Sequence, residues 1–377
     1  MNRLTIGAVI AGIAFVMELT MLPLLLSAIK EDFSLSVIEL AWVFNAYAIA
    51  VAIAVCCSGF AGDVLDPRKL FIWGVSLFAM GSFLSASSDG LNALIVGRVV
   101  QGTGGGLFFP LVPILLTHAS AGRAGRILMI WGALTGVSAA VLPMLGAAML
   151  VGFGWSAIFV AFAAVSILAL LFVALGQNRV DAFRTRRVPN YRKLLTIRGY
   201  WLLLFYVFVT YGCFSYYLFH FPVSWHSNGF DDTSISIFLS CVWLAFSGAS
   251  FLLRNQIDGN GLRWGLLAAP GLLGLSFLVA SFDVNGRVFQ LLSAVLVGTG
   301  LACCNSPTTH LLLLISPKDL RATSSSLDII FARGGSVLTV SLLATLGPFW
   351  VEMAVLVLAL VATYSAIYFL YAIYLPD

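Results

Sequence analysis

Two ionisable side chains stand inside long apolar runs of the sequence, Glu18 in the first run and Arg98 in the fourth. A charge inside a membrane is costly, so such side chains normally face a protein interior or a watery cavity. A carboxyl group placed there can bind a proton in one conformation and release it in another. We therefore predict proton coupling for Glu18, with a structural ion pair or a permanently protonated acid as the alternatives. For Arg98 we predict a role in coupling or gating, with a purely structural network as the alternative.

Small and polar residues share a helical face with Arg98. Gln101, Gly102 and Gly105 follow it at spacings of three, four and seven residues, which places them on the same side of a helix. Small residues let a neighbouring backbone approach closely, and they are typical of helix packing in membranes. This face is therefore predicted to lie in the protein interior, with Gly102, Gly104 and Gly105 as packing positions.

The eleventh apolar run carries two further charges, Asp328 and Arg333, which are five residues apart. Five residues turn a helix through about 140°, so the two side chains are poorly placed to pair with each other. Arg333 is close to the midplane, where it could hold an anionic group of a substrate or balance Glu18. Asp328 is nearer the end of the run and could simply anchor loops.

Aromatic and polar residues within the runs are candidates for a substrate cavity. Ligand sites combine apolar and aromatic walls with a few polar groups. The residues that we predict to line a cavity together with Arg333 are Asn45, Tyr206, Tyr211, Phe214, Asn305, Thr308 and Thr309. Thr and Asn in membrane helices also bond to neighbouring helices, so packing is the alternative for the polar members.

The composition excludes an ordinary soluble protein. Of the 377 residues, 60% are hydrophobic and only 10% are charged, which is typical of an integral membrane protein. The net charge of +4 gives no reason to expect a nucleic-acid partner. The six cysteines lie in apolar runs without the spacing of zinc ligands, and the sequence contains no nucleophile elbow and no phosphate-binding loop. We therefore expect no cofactor, no metal and no enzyme activity, and ATP is disfavoured as an energy source.

Twelve apolar runs are long enough to cross a bilayer as helices, which takes about 20 residues each. Their centres lie near Phe15, Ala48, Ser76, Thr103, Val137, Val165, Tyr211, Val242, Gly274, Leu301, Val337 and Ala362. Cytoplasmic loops carry an excess of Lys and Arg. Sixteen of the twenty Lys and Arg residues fall on the side of the N-terminus, and only Lys30 and Arg287 lie in loops on the other side. Both termini are therefore predicted to be cytoplasmic.

The chain is predicted to consist of two six-helix bundles, 1–176 and 199–377, joined by a basic cytoplasmic connector at 177–198. Gly102-Thr103-Gly104 in the fourth run returns 196 residues later as Gly298-Thr299-Gly300 in the tenth. Such internal repeats are common in transporters, whose substrate site usually lies near the midplane between the repeats. A duplicated six-helix unit therefore predicts a central site.

A charged pattern after the second run is repeated after the eighth. Asp63 precedes Arg68 by five residues, and Asp258 precedes Arg263 by the same spacing, 195 residues further on. Charges at cytoplasmic helix ends can pair in one state of a transporter and separate in another. We predict that these four residues and Lys69 form a gating latch, with membrane topology alone as the alternative for the cations.

These residues resemble the major facilitator superfamily, and within it the proton-coupled drug and metabolite exporters. The loop at 59–69 is similar to the family's loop between helices two and three, although Pro67 replaces the usual glycine before the basic pair. The fourth run carries a motif that the family associates with proton translocation, and the second run is similar to that of the exporters. The residues concerned are Arg98, Gln101, Gly102 and Gly104 in the fourth run and Trp42, Val43 and Tyr47 in the second.

The fifth run matches the antiporter motif of this family only in part. Pro143 and Gly146 are in place, whereas Ser138, Leu142 and Ala147 stand where glycines are typical. The resemblance also implies that an acid in the first helix, here Glu18, takes part in coupling.

Together, the residues and the resemblance predict an all-α membrane protein with twelve helices, working as a proton antiporter that exports a small organic molecule by alternating access. The proton gradient supplies the energy, and the expected partners are the substrate, protons and membrane lipids. We expect a monomer in a bacterial inner membrane. An importer or uniporter of an organic anion is one alternative, motivated by the buried arginines and the incomplete antiporter motif. A receptor or scaffold that no longer transports is the other.

Overall fold

A computed structural model describes residues 3–61, 67–118, 124–174, 196–253, 260–282, 286–317, 320–346 and 348–369. Every regular element within these ranges is a helix. The helices are α1 (Arg3–Asp32), α2 (Val37–Ala61), α3 (Pro67–Ala86), α4 (Leu91–Phe108), α5 (Leu111–His118), α6 (Ala124–Phe153), α7 (Trp155–Ala174), α8 (Arg198–Ser227), α9 (Asp232–Leu253), α10 (Asn260–Phe282), α11 (Arg287–Ile315), α12 (Arg321–Leu343) and α13 (Pro348–Phe369).

Eleven segments of the described chain are long and apolar enough to cross a membrane, and Val357–Tyr368 adds a shorter apolar helix. Each of the twelve predicted centres lies within a helix. The prediction of a multi-pass, all-helical membrane protein is confirmed. The fourth run departs from the expected single helix, because α4 ends at Phe108 and α5 begins at Leu111. Pro110 lies in the break, where it has no N–H to continue the hydrogen-bond ladder.

Side-chain contacts stabilise the starts of α2 and α7. Ser36 and Glu39 form a capping box at the start of α2: the Ser36 backbone N–H donates to Glu39 Oε2 at 2.9 Å, and the Glu39 N–H donates to Ser36 Oγ at 3.3 Å. At the beginning of α7, the Trp155 indole donates to Asp32 Oδ2 at 2.9 Å, which fastens it to the end of α1. These contacts fix the ends of the helices that carry the site.

The chain divides into two compact units, the first holding α1–α7 with Asp231–Ser236 and the second holding the remainder of α8–α13. Within the first unit, α1 packs on α6 and α7, and α3 packs on α4 and α7. The corresponding pairs recur within the second unit, where α8 packs on α12 and α13, and α10 packs on α11 and α13. The internal repeat therefore extends to helix packing. The exact boundaries 1–176, 177–198 and 199–377 stay a prediction, because residues 175–195 lie outside the described ranges.

Glycines make the same close contacts in both units. A Cβ added to Gly102 would lie 2.5 Å from the Tyr47 carbonyl oxygen and 2.9 Å from Ala50 Cβ. One added to Gly298 would meet the Val242 carbonyl oxygen and lie 3.0 Å from Ala245 Cβ. Since Val242 and Ala245 each stand 195 residues after their counterparts, one packing contact exists in two copies. A larger residue at either glycine would push two helices apart.

Candidate functional site

Glu18 and Arg98 meet inside the first unit. Glu18 lies on α1 and Arg98 on α4, and the Glu18 Oε1 and Arg98 Nη2 atoms are 2.7 Å apart. Glu18 is 2% exposed and Arg98 is 0% exposed. Charges this deep need compensation, since an uncompensated buried charge is strongly destabilising. The structure therefore brings together the two residues that the sequence singled out for coupling.

The other N–H groups of Arg98 are also engaged. Nη1 donates to Gln101 Oε1 at 2.6 Å, and Nε donates to the Val43 carbonyl oxygen on α2 at 3.3 Å. The Gln101 amide in turn donates to Ser82 Oγ on α3 at 2.9 Å. Arg98 thus links α4 to α1 and α2 directly and to α3 through Gln101. The planar fork of a guanidinium is suited to making several directed hydrogen bonds at once.

Aromatic rings enclose the guanidinium. Arg98 Cζ lies 4.5 Å from the centroid of the Tyr47 ring and 5.9 Å from that of Phe159. Both distances are within the range of cation–π attraction, which is strengthened by removal of water. The Tyr47 and Phe159 rings therefore contribute to the burial of the guanidinium, which is 0% exposed.

This arrangement can respond to a proton. Protonation of Glu18 would remove its negative charge and leave Arg98 with Gln101 and the Val43 carbonyl as neutral partners. The charge balance of the network depends on the state of one carboxyl group, which is the property required of a coupling site. The interpretation that Arg333 balances Glu18 is not supported, because Arg98 takes that place within the same unit.

Glycines on α4 and α6 allow neighbouring helices and side chains to approach closely around the Arg98 network. A Cβ on Gly104 would run into the Phe78 backbone of α3, and one on Gly105 would lie 2.9 Å from Tyr47 Oη. On α6, Pro143 is buried within the helix and a Cβ on Gly146 would lie 2.9 Å from Met21 Cε. Gly105 therefore leaves space for the tyrosine that covers Arg98.

The second unit holds a separate group of polar contacts. The Tyr211 hydroxyl of α8 donates to Asn305 Oδ1 of α11 at 2.5 Å, and Thr309 Oγ1 of α11 donates to Asp328 Oδ2 of α12 at 2.8 Å. These four residues and Arg333 are all half-buried. Within the described part of the chain, Arg333 makes no ion pair and no hydrogen bond. Four of the predicted cavity residues, Tyr211, Asn305, Thr309 and Arg333, are thus not fully enclosed by packing.

Other predicted cavity residues face helix contacts instead. The Tyr206 hydroxyl donates to the Leu266 carbonyl oxygen at 2.7 Å, and the side chain is 1% exposed. Phe214 is 5% exposed and forms an edge contact with Trp243, and the Thr308 hydroxyl donates to the Cys304 carbonyl oxygen of its own helix at 2.6 Å. These geometries favour packing for Tyr206, Phe214 and Thr308. Asn45, at 1% exposure, is buried in α2.

The predicted latch is described only in part. Asp63 and Asp258 lie outside the described residues, so their pairing with Arg68 and Arg263 stays a prediction. Arg68 donates from Nη2 to the Val173 carbonyl oxygen at 2.8 Å, Lys69 is exposed, and Arg263 is half-buried. A cation at the C-terminal end of α7 also offsets the negative end of that helix dipole. Arg68 therefore has a structural contact in addition to the proposed gating role.

One partner of the site, Ser82, was missed in the sequence, and the backbone contact of Val43 was not predicted. Ser82 gave no signal of its own in the sequence. The Val43 contribution is a backbone carbonyl, which no side-chain pattern can reveal. Tyr47 was noted only through the family resemblance, and its ring lies against the arginine.

Comparison with known proteins places this geometry in a family. The sequence model of the Major Facilitator Superfamily matches residues 4–340. The chain is 30% identical over 254 residues to the tetracenomycin C resistance and export protein of Streptomyces glaucescens, covering 67% of this chain and 44% of that protein. It is 30% identical over 182 residues to the multidrug resistance protein B homolog of Mycobacterium tuberculosis, covering 46% and 34%. The chain thus spans less than half the length of these relatives.

A solved structure shows the same fold. The crystal structure of a mutant of the nucleoside transporter NupG superimposes with a TM-score of 0.78, covering 97% of this chain and 99% of that chain. The sequence identity is 14%, so this likeness concerns the fold alone.

Proposed function

Because the chain belongs to the Major Facilitator Superfamily, and is a transporter rather than an enzyme, we propose that it is a proton antiporter that exports a small organic molecule by alternating access. The observation that carries the proposal is the buried Glu18–Arg98 ion pair. Stability alone gives little reason to keep such a pair, because replacing both members of a buried ion pair by apolar side chains of similar volume is often neutral or stabilising. Glu18 is 2% exposed and Arg98 is 0% exposed, so use of the charge is the better explanation for this pair.

In the proposed cycle, Glu18 is ionised and paired with Arg98 in one state and protonated in the other. Protonation weakens its bond to Arg98, and the freed guanidinium keeps Gln101 and the Val43 carbonyl as partners. Since Arg98 reaches α1, α2 and, through Gln101, α3, a change at one carboxyl group alters contacts among four helices. This is the kind of local charge change that can bias a conformational equilibrium.

Export as the direction is supported by the relatives, among them a tetracenomycin C resistance and export protein. The second unit offers Tyr211, Asn305, Thr309 and Arg333 as half-buried polar groups for a ligand. The same proposal includes the gating latch and cytoplasmic termini. It also includes a bacterial inner membrane, a monomeric state and an energy supply from the proton gradient alone.

An importer or uniporter of an organic anion is the second candidate. Arg333 favours it, because this half-buried cation has no ion-pair partner among the described residues. Such a guanidinium is suited to bind a carboxylate or phosphate group of a substrate. Flux measured in vesicles of known orientation separates the two candidates by direction.

The test begins with the substrate, since no ligand is known. Metabolites in cells and medium are compared with and without the gene, and tetracenomycin C is included as a probe because of the export protein cited above. Everted vesicles then report whether uptake of the affected compound collapses when a protonophore removes the gradient. Gradient-independent uptake would exclude proton coupling, whereas loss of uptake in Glu18→Gln with normal protein levels supports it.

A further inference from the structure

We propose that Asp328 is a second proton-binding carboxyl group, located in the second unit and separate from Glu18. It goes beyond the proposed function, in which Glu18 alone exchanges protons. Asp328 lies in α12 within the membrane-crossing segment Thr323–Leu343. An acid in such a segment is expensive to keep ionised and usually marks a proton or ion path.

The surroundings of Asp328 differ from those of Glu18. Its hydrogen-bond donor is the neutral Thr309 hydroxyl, 2.8 Å from Oδ2. Throughout the described part of the chain, no Lys, Arg or His nitrogen pairs with this carboxylate, whereas Glu18 has a guanidinium at 2.7 Å. One hydroxyl compensates a buried negative charge less well than a cation does. A proton can supply the missing compensation.

The charged and titratable groups near Asp328 come from three helices. Tyr200 and Tyr211 of α8 and Cys304 of α11 lie within electrostatic reach of the carboxyl group. Arg333 follows on α12 itself, and it interacts electrostatically with Tyr211. Tyrosine and cysteine are neutral near pH 7, so they do not compensate the carboxylate.

Access for protons is provided by partial exposure. Asp328 and Thr309 are both half-buried, so the carboxyl group can exchange protons without unfolding. A residue that only anchors α12 to α11 would need the hydrogen bond but no exchange. The two roles therefore differ in a measurable way.

The experiment is infrared difference spectroscopy of the purified full chain between mildly alkaline and mildly acidic buffer. We expect the wild type to gain a C=O band of a protonated carboxyl group that is missing in Asp328→Asn. Asn keeps the shape and can still accept the Thr309 hydrogen bond. Asp89→Asn is the matched control, because it makes the same substitution at an exposed aspartate outside α12.

Two further variants keep the test decisive. Thr309→Val removes the hydrogen bond and should shift the frequency of the band without abolishing it, which can be read even if Asp328→Asn folds poorly. Glu18→Gln should leave the Asp328 band in place, whether or not transport proves to be proton-coupled. A wild-type spectrum that Asp328→Asn reproduces in full, or a band that Thr309→Val leaves unshifted, overturns the proposal.

Discussion

Glu18 and Arg98 are 80 residues apart in the chain, and their side chains form a 2.7 Å ion pair inside the first unit. In the internal repeat, Ala294 takes the position of Arg98, 196 residues later, and Cys213 takes that of Glu18, 195 residues later. The glycine contacts beside the pair are duplicated, but the charges are not. The packing function of α4 is therefore present in both halves of the repeat, whereas the ion pair of Arg98 is found in the first half alone among these corresponding positions.

Glu18→Ala should reduce the free energy of unfolding by about 3–5 kcal/mol, because it leaves the Arg98 guanidinium buried without its carboxylate. Thermal or denaturant unfolding in detergent measures the change. Glu31→Ala, at an exposed acid on the same helix, should change it by at most about 1 kcal/mol. The double variant Glu18→Met/Arg98→Met should lose less free energy of unfolding than the sum of the losses in the single variants Glu18→Met and Arg98→Met. If the two single losses simply add, the pair is not coupled as the structure indicates.

Arg98→Lys should lose transport almost as completely as Arg98→Ala, although the charge is kept. A lysine ammonium cannot reach Glu18, Gln101 and the Val43 carbonyl together with the geometry of the guanidinium fork. Transport per correctly inserted molecule is the measurement. Wild-type transport by Arg98→Lys would mean that the charge alone is sufficient.

Gly102→Ala and Gly298→Ala should each destabilise the protein by about 1–3 kcal/mol, since the new methyl group would meet a backbone carbonyl of the neighbouring helix. Gly248 on α9 has open space around it, so Gly248→Ala should instead stabilise by about 0.4–1 kcal/mol. Unfolding of the three variants in the same detergent compares them. Equal effects at all three positions would contradict the close packing.

Tyr211→Phe should impair transport while leaving stability nearly unchanged, because its hydroxyl bonds to Asn305 in a half-buried position. Tyr206→Phe should do the reverse, since it leaves the buried Leu266 carbonyl without this donor, at a cost of about 1–3 kcal/mol. Concentration dependence of transport and unfolding curves are measured for both. If Tyr206→Phe has the larger effect on transport, the site has been assigned to the wrong tyrosine.

Hydrophobic run length and charge predicted the helices well, because a bilayer permits few other structures. The break between α4 and α5 was missed, although Pro110 was its signal. The 3, 4 and 7 spacing after Arg98 correctly placed Gln101 and the glycines on an interior face. The local pattern could not show which residues of other helices bind Arg98 and Gln101. Glu18 and Ser82 reach these two side chains of α4 only through tertiary packing. Arg333 was considered as a counter-charge for Glu18 because the sequence alone did not show that Arg98 lies beside that carboxylate.

The most direct test of the central claim is gradient-driven accumulation of the identified compound in everted vesicles, measured for wild type and Glu18→Gln. The wild type should accumulate the compound, and a protonophore should abolish this accumulation. Glu18→Gln should show none, while it still exchanges labelled for unlabelled compound across the membrane. Accumulation by Glu18→Gln equal to that of the wild type, or accumulation that survives the protonophore, would contradict the claim that this carboxyl group couples transport to protons.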